Sequence, residues 1–287
     1  MIDLWDIRYV RLGTRDLTGA TRYATDIVGL QQAREENGTR YFKSDSRDHT
    51  LAYFEGDPSD HTVAFEVRDV GELEAAASVL SDQRVDVHLG TKDECEQRVV
   101  GGMISFRDPS GNKIELVVQP HHSGLKYWPS QDNGITGFSH IGLRSKNPQA
   151  DEVFWTQTLG AKVSDRIGPC PLLRIDGVHH KIALFASAFP GVQHVNHQVE
   201  SFNDIMRAFY RLKEAGVRIV FGPGRHPTSG ACFLYYEGPD GVVYEYSTGV
   251  RVFTPEEEET YQPRQFSMDS SSFCMWGSKP DIPEFRK

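Results

Sequence analysis

Two histidines and one glutamate, His140, His194 and Glu245, are the residues whose types and spacing most clearly predict chemistry. They lie 54 and 51 positions apart, each at a similar point of a short strand-like motif. Two imidazoles and one carboxylate form the facial triad that holds a non-haem Fe(II) and leaves coordination positions open for substrate and O2. Taken singly, each residue is more typical of a hydrogen-bonded histidine or a solvent-facing glutamate, so the prediction depends on the pattern they form together.

An internal repeat supplies that pattern. When the chain is laid on itself with an offset of about 131 residues, four segments match in the same order and in character. The segments beginning at Ile7, Asp48, His61 and Val100 match those beginning at Phe138, His179, His194 and Ser229. Four matches in one order predict a duplicated module.

The two copies differ at the residues that could bind a metal. Tyr9, His61 and Glu115 take the places of the two histidines and the glutamate in the first copy. Tyrosine is a poor ligand for a divalent ion near neutral pH, because its unperturbed pKa is about 10. The comparison therefore predicts a degenerate metal site in the first copy and a working site in the second.

Periodicity predicts the elements that must position these residues. Each copy reads as a strand, an amphipathic helix, and then strands with a second helix between them, which is an α+β pattern. In the second copy, the stripes of the two helices are Val153, Phe154, Trp155 and Leu159, and Ile205, Met206, Phe209, Tyr210 and Leu212. Because residues i and i+2 of a strand share a face, Glu245 is predicted to face away from Tyr244 and Tyr246.

Composition divides the chain into four predicted segments. Residues 1–120 form the N-terminal domain, 121–134 a polar and turn-rich linker, and 135–252 the C-terminal catalytic domain. The tail, 253–287, is rich in Glu, Ser and Pro but contains several aromatic residues. Such a tail is predicted to pack on its own domain or on a neighbouring subunit.

The gross composition excludes several classes of protein. The 287 residues are enough for two domains with their own cores, and a net charge of −9 argues against binding to nucleic acid or to an anionic membrane surface. No apolar stretch approaches the roughly 20 residues that a membrane-spanning helix needs, and the N-terminus lacks the features of a signal peptide. We therefore expect a cytoplasmic protein. The four cysteines form no C-x-x-C pair and predict neither a zinc site nor a disulfide framework.

Three further residues narrow the chemistry: His180 precedes His194 by 14 positions, and His226 and Tyr235 precede Glu245 by 19 and 10. With these six residues the sequence resembles the two-domain type I extradiol ring-cleaving catechol dioxygenases of the vicinal oxygen chelate superfamily. The resemblance covers nearly the whole chain and is densest from FSHIGL to YEYSTGVRVF. It implies two tandem vicinal oxygen chelate domains, each of paired βαβββ modules forming an incomplete barrel.

The resemblance also implies a role for each residue. The two histidines and the glutamate of the triad would bind Fe(II), with Mn(II) as the alternative. The HHKIAL segment places the acid-base histidine at His180, and the GRH and FLYY segments place two further catalytic residues at His226 and Tyr235. All three would also contact the substrate. The implied reaction is extradiol cleavage of a catechol with incorporation of both atoms of O2, in a homo-oligomer.

The substrate pocket is less strongly predicted. We expect Leu172, Asn196 and Thr228 to contact the substrate, with Leu173 and Phe221 nearby. This set contains no arginine to bind a carboxylate, which favours an uncharged or apolar ring substituent.

Two alternatives stay open at this point. One is a metal-dependent glyoxalase, epimerase or isomerase of the same superfamily, which needs a metal and a base but no O2 site. The other is a non-catalytic binding protein built on the same module, which gains nothing from an intact ligand triad. The combination of His180, His226 and Tyr235 favours ring cleavage over both.

Overall fold

The structure is a computed structural model that describes residues 1–285. Its first half contains helices α1 (Leu17–Arg22), which continues into a π-helix at Tyr23–Val28, α2 (Val70–Asp82) and α3 (Lys92–Arg98). The strands there are β1 (Asp6–Thr14), β2 (Gln31–Glu36), β3 (Thr39–Lys43), β4 (Leu51–Glu55), β5 (His61–Glu66), β6 (His88–Leu89), β7 (Gly102–Arg107) and β8 (Lys113–Val118).

The second half repeats this succession. Its helices are α4 (Pro148–Gln157), α5 (Phe202–Glu214), α6 (Pro255–Thr260) and α7 (Ser270–Phe273), with 3-10 turns at Pro239–Gly241 and Pro283–Phe285. The strands are β9 (Ile135–Ser145), β10 (Lys162–Ile167), β11 (Cys170–Arg174), β12 (Ile182–Ala186), β13 (Gly191–Val199), β14 (Ile219–Arg225), β15 (Cys232–Glu237), β16 (Val243–Thr248) and β17 (Arg264–Phe266).

The two sheets have the same strand order. The first runs β2-β3-β4-β1-β5-β8-β7-β6, and the second, read in the opposite sense, runs β17-β10-β11-β12-β9-β13-β16-β15-β14. The second sheet therefore repeats the first and adds β17 at one edge. Both sheets are mixed, neither closes into a barrel, and the prediction of an α+β fold with two tandem modules is confirmed.

The two helices predicted from periodicity in the second half form, but two residues of their predicted apolar stripes face solvent. The side chain of Asn147 caps α4 by accepting a hydrogen bond from the Ala150 N–H, and the helix begins at the next residue, Pro148. Val153 and Tyr210 are 52% and 65% exposed, so their assignment to the apolar stripes was wrong. Val153 lies about 100° around its helix from the buried Phe154, and Tyr210 lies about 100° from the half-buried Phe209, so both fall outside the packed face.

The second sheet separates two apolar regions. Tyr244 and Tyr246 belong to the large core that runs through both halves, whereas Val243 packs in a second core on the other face. Glu245, between the two tyrosines, takes the side of Val243, as the strand alternation predicts.

The tail folds back onto the second half. Strand β17 pairs in parallel with β10, and Phe273, Ile282 and Phe285 are buried in the second core. Positions 286 and 287 of the predicted tail lie outside the described residues. None of the helices within residues 1–285 has the length and apolar character that crossing a membrane requires.

Candidate active site

Three adjacent strands bring the predicted triad together. His140 lies on β9, His194 on β13 and Glu245 on β16, and β13 is the strand between the other two. The backbone of Asn196 pairs with His140 on one side and with Glu245 on the other. The three residues are therefore fixed by neighbouring backbone ladders rather than by loops.

The side-chain atoms of the triad converge on one point. His140 Nε2 lies 3.1 Å from His194 Nε2 and 3.0 Å from Glu245 Oε2, and His194 Nε2 lies 3.5 Å from the same oxygen. Ligands on one face of an octahedron, each about 2.1 Å from an ion, lie about 3 Å from one another. Within residues 1–285, the buried Glu245 Oε2 has no hydrogen bond of acceptable geometry. The donor set and its spacing fit a divalent ion.

A β-bulge orients His194. The pairing of β13 with β9 shifts between Val192 and His194, which leaves Gln193 as an extra residue. The His194 Nδ1–H donates to Gln193 Oε1, so its Nε2 is the nitrogen that faces the triad. Gly142 pairs with His194, and a Cβ at this position would lie 2.3 Å from His194 Nδ1.

Burial and neighbouring charges keep the ligand atoms of His194 and Glu245 free of protons and able to bind an ion. Burial lowers the pKa of His194 to about 3, so the imidazole is neutral near pH 7 and can offer a lone pair. Burial alone would raise the pKa of Glu245. The neighbouring His140 and His226 overcome this effect and hold that pKa well below its usual value.

The three additional predicted residues surround the triad. The rings of His180 and His140 are 4.3 Å apart between centroids, and Tyr235 pairs with Glu245 across the strands. His226 Nδ1 donates to the Phe273 carbonyl at 2.8 Å, and its Nε2 lies within hydrogen-bond distance of the Tyr235 hydroxyl, at 3.2 Å. All six predicted residues therefore lie at one place.

A small apolar cavity opens beside these residues. Its volume is about 20 Å³, which is little more than one water molecule needs. Some of the lining residues are those predicted from the sequence, and others are not. The lining comprises Ile167, Leu172, His180, Ala183, Phe185, His194, His226, Thr228, Tyr235, Phe273 and Phe285.

Of the six predicted substrate contacts, Asn196 alone does not line this cavity, whereas Leu172, Thr228 and the three catalytic residues do. Asn196 is fully buried and exchanges hydrogen bonds with the Ser247 hydroxyl at 2.9 and 3.1 Å. Its side chain is held between strands β13 and β16. Among the missed residues, Phe273 and Phe285 belong to the tail, whose aromatic residues were the only sequence signal that pointed to them.

The first half holds a different cluster at the equivalent place. The Tyr9 hydroxyl donates to Glu115 Oε2 at 2.7 Å, and Arg98 Nη2 lies 2.8 Å from Glu115 Oε1. Glu115 is fully buried and Arg98 is 7% exposed. A guanidinium therefore supplies a positive charge to this carboxylate, a feature that sequence reasoning missed because Arg98 lies on a helix outside the matched segments.

Strand register corrects one predicted correspondence in this cluster. Arg11, two residues after Tyr9, pairs with Thr62, whereas Gly142, two residues after His140, pairs with His194. The counterpart of His194 is therefore Thr62, and the assignment to His61 was wrong by one position. The first half lacks the bulge that adds Gln193. His61 instead accepts a hydrogen bond from the Val192 N–H of the second half at 2.9 Å.

The chain is similar to known proteins over most of its length. A family model described as "Glyoxalase/Bleomycin resistance protein/Dioxygenase superfamily" matches residues 6–116 and again 137–246. A biphenyl-2,3-diol 1,2-dioxygenase of Pseudomonas sp. (strain KKS102) is 28% identical over 94% of this chain and 96% of its own length. An iron-dependent extradiol dioxygenase of Rhodococcus jostii (strain RHA1) is 24% identical over 94% and 95%.

Solved structures share the whole architecture. A halotolerant catechol dioxygenase superposes with a TM-score of 0.87 at 22% identity, covering 98% of this chain and 97% of that one. A Mn(II)-bound glyoxalase from Novosphingobium aromaticivorans also has a TM-score of 0.87, at 24% identity, with coverage of 100% and 95%. At these identities the likeness establishes the fold.

Proposed function

Because the chain belongs to the glyoxalase/bleomycin resistance protein/dioxygenase superfamily, we propose that it is an extradiol dioxygenase. It cleaves the ring of a catechol-type diol beside the two hydroxyl groups and incorporates both atoms of O2. The observation that carries this proposal is that two imidazoles and a carboxylate converge next to His180, His226 and Tyr235, which line a small cavity.

We assign the metal to His140, His194 and Glu245, and we propose Fe(II) as the ion with Mn(II) as the alternative. The name of the Rhodococcus relative supports iron, and the name of the Novosphingobium structure keeps manganese as the alternative. A bound divalent ion of this kind lowers the pKa of a diol hydroxyl and leaves positions for the substrate and O2.

The remaining residues handle protons and position the substrate. His180 lines the cavity and is suited to accept a proton from the diol and to return it later, a contribution typically worth about 10² to 10⁴ in rate. Tyr235 and His226 share a hydrogen bond, and the carbonyl of Phe273 fixes the orientation of the imidazole. Tyr235 can thereby present its hydroxyl to a diol oxygen.

The apolar lining favours a diol with a hydrophobic ring substituent. The cavity is lined by three phenylalanines, Phe185, Phe273 and Phe285, and by the aliphatic side chains of Leu172 and Ile167. The curated relatives include enzymes named for biphenyl-2,3-diol and 3-methylcatechol. We therefore propose catechols with aryl or alkyl substituents as substrates, in preference to catechols with a carboxylate side chain.

We also propose that the first half, residues 1–120, is a structural copy without a metal. Arg98 supplies the positive charge that an ion would otherwise bring to Glu115. The linker at 121–134 and the catalytic domain at 135–252 complete this division.

The test is anaerobic loading with Fe(II) or Mn(II), followed by addition of O2 and a panel of catechols. We expect one O2 consumed per diol and a yellow ring-opened product, fastest with aryl or alkyl substituents. His180→Ala should keep its metal, measured by elemental analysis, and lose about 10² to 10⁴ in kcat. If the metal-loaded protein consumes no O2 with any diol of the panel, the result contradicts the proposal and favours the glyoxalase-type alternative.

A further inference from the structure

A buried carboxylate and a second histidine lie directly behind His180. His179 Nε2 is 2.9 Å from Asp165 Oδ2, and His179 Nδ1 is 3.1 Å from Nδ1 of His180. Asp165 and His179 are both fully buried. We propose that Asp165 and His179 are positioning residues that determine which ring nitrogen of His180 carries its proton, a role that rests on the proposed ring cleavage.

The hydrogen-bond chain permits one arrangement of protons. A carboxylate only accepts, so the proton of a neutral His179 must lie on Nε2, which faces Asp165. Burial lowers the pKa of His179 and favours this neutral form. Its Nδ1 is then an acceptor, and the contact with His180 requires the proton of that ring to lie on Nδ1. The Nε2 of a neutral His180 is consequently left with a free lone pair.

Asp165 is held in its acceptor role from the other side. Its Oδ1 accepts from the Tyr261 hydroxyl at 2.9 Å, and from the backbone N–H and Nε of Arg264 at 2.9 and 3.1 Å. Arg264 Nη2 lies 2.6 Å from Oδ2. Burial opposes ionisation, but hydrogen bonds from His179 and Arg264 hold the pKa of Asp165 at about 2. The carboxylate is therefore charged at neutral pH.

In this arrangement a neutral His180 can accept a proton at Nε2 without first changing its tautomer. Its Nδ1 is occupied by His179, so Nε2 is the nitrogen available to the cavity that the ring lines. When a diol hydroxyl gives up its proton, the O–H bond breaks and an N–H bond forms at Nε2. The resulting imidazolium is linked through His179 to the charged Asp165 carboxylate. With the opposite tautomer, the same nitrogen would already carry a proton and could accept none.

The tautomer can be read directly by nuclear magnetic resonance. In full-length protein labelled with ¹⁵N-histidine and free of paramagnetic metal, long-range ¹H–¹⁵N spectra distinguish protonated from unprotonated ring nitrogens. The His180→Asn variant assigns the resonances. We expect a protonated Nδ1 and an unprotonated Nε2 for His180, and a protonated Nε2 for His179. A protonated Nε2 on His180 in the parent protein overturns the inference without recourse to any substitution.

Asp165→Asn should reverse the direction of the hydrogen bonds that link residue 165, His179 and His180. Three donors face the Oδ1 position, whereas Arg264 Nη2 is the one fixed donor at Oδ2. The amide oxygen therefore settles at the Oδ1 position and the amide nitrogen faces His179. His179 must then accept at Nε2 and donate from Nδ1, which moves the proton of His180 to Nε2. We expect this tautomer change together with a loss of roughly 10² to 10⁴ in kcat at unchanged metal content.

Tyr261→Phe is the matched control, because it removes one hydrogen bond to the same carboxylate without changing the direction of the chain. It should retain the parent tautomer and most of the activity. An Asp165→Asn variant with the parent tautomer, or with reversed tautomer and unchanged kcat, overturns the inference. Because the spectra need no turnover, a protein with the expected tautomer that consumes no O2 contradicts the proposed function instead.

Discussion

Replacement of Arg98 by methionine tests whether a guanidinium takes the place of an ion in the first half. Arg98 donates to Glu115 through Nε at 3.2 Å and through Nη2 at 2.8 Å, and neither side chain has more than 8% of its surface exposed. Methionine keeps much of the aliphatic volume, so the main effect is a buried carboxylate without a cation. Removing one partner of a buried pair costs about 3–5 kcal/mol.

The cost should depend on the charge of Glu115 and on pH. In the double variant Arg98→Met/Glu115→Gln neither charge is buried, and most of the lost stability should return. In the parent, Arg98 holds the pKa of Glu115 below its usual value although burial alone would raise it. The parent pair therefore contributes stability at neutral pH that is lost as pH falls through this depressed pKa. Without Arg98 the pKa rises, so the penalty in Arg98→Met should shrink as the pH is lowered.

Urea unfolding followed by circular dichroism, at pH 7.5 and pH 5, measures the free energy of unfolding of each variant. Arg68→Met is the control, because its ion pair with Asp3 is more than half exposed and should contribute less than about 1 kcal/mol. A loss below about 1 kcal/mol in Arg98→Met, or a double variant no more stable than the single one, would refute the reasoning. So would a second equivalent of bound metal in the parent protein.

Three further substitutions probe the other features. Glu245→Ala should lose the metal, measured as ions per chain by elemental analysis, while the exposed Glu237→Ala keeps it; full occupancy in the first variant would contradict the ligand assignment. Tyr9→Phe should leave metal content unchanged and lose about 1.5–3 kcal/mol of unfolding free energy with the hydrogen bond to a charged group, and loss of metal there would contradict the structural role of the first half. Phe285→Ala should enlarge the cavity and raise kcat/KM for diols with bulky substituents relative to catechol; an unchanged ratio would mean that the tail does not limit the substrate.

The convergence of the three triad side chains could be predicted from the sequence because each residue lies on a strand whose position is set by local patterns. Residues on adjacent strands with the same inward phase must approach one another, so spacing and repeat were sufficient for His140, His194 and Glu245. The bulge at Gln193 was not predictable, since one inserted residue leaves the apolar alternation on either side intact. It displaced the counterpart of His194 from His61 to Thr62.

Contacts made outside the strands of the repeat could not be predicted from the sequence. The hydrogen bonds of Asp165 join residues up to 99 positions apart, and no local pattern specifies such a partner. The same holds for Phe285, which reaches the cavity from the end of an irregular tail. Its aromatic character predicted burial, but the surface that buries it depends on how the preceding residues cross the sheet.

The two halves are joined by buried polar contacts that neither could satisfy alone. Asp151 of α4 is fully buried and accepts hydrogen bonds from the backbone and hydroxyl of Ser110 in the first half. The Tyr53 and Tyr244 hydroxyls meet at 2.6 Å. In separated halves Asp151 would keep the hydrogen bond from the Ser145 hydroxyl but lose both bonds from Ser110, and Tyr53 and Tyr244 would lose each other. The duplicated halves are therefore not independent units: each supplies hydrogen-bond partners to polar groups buried in the other.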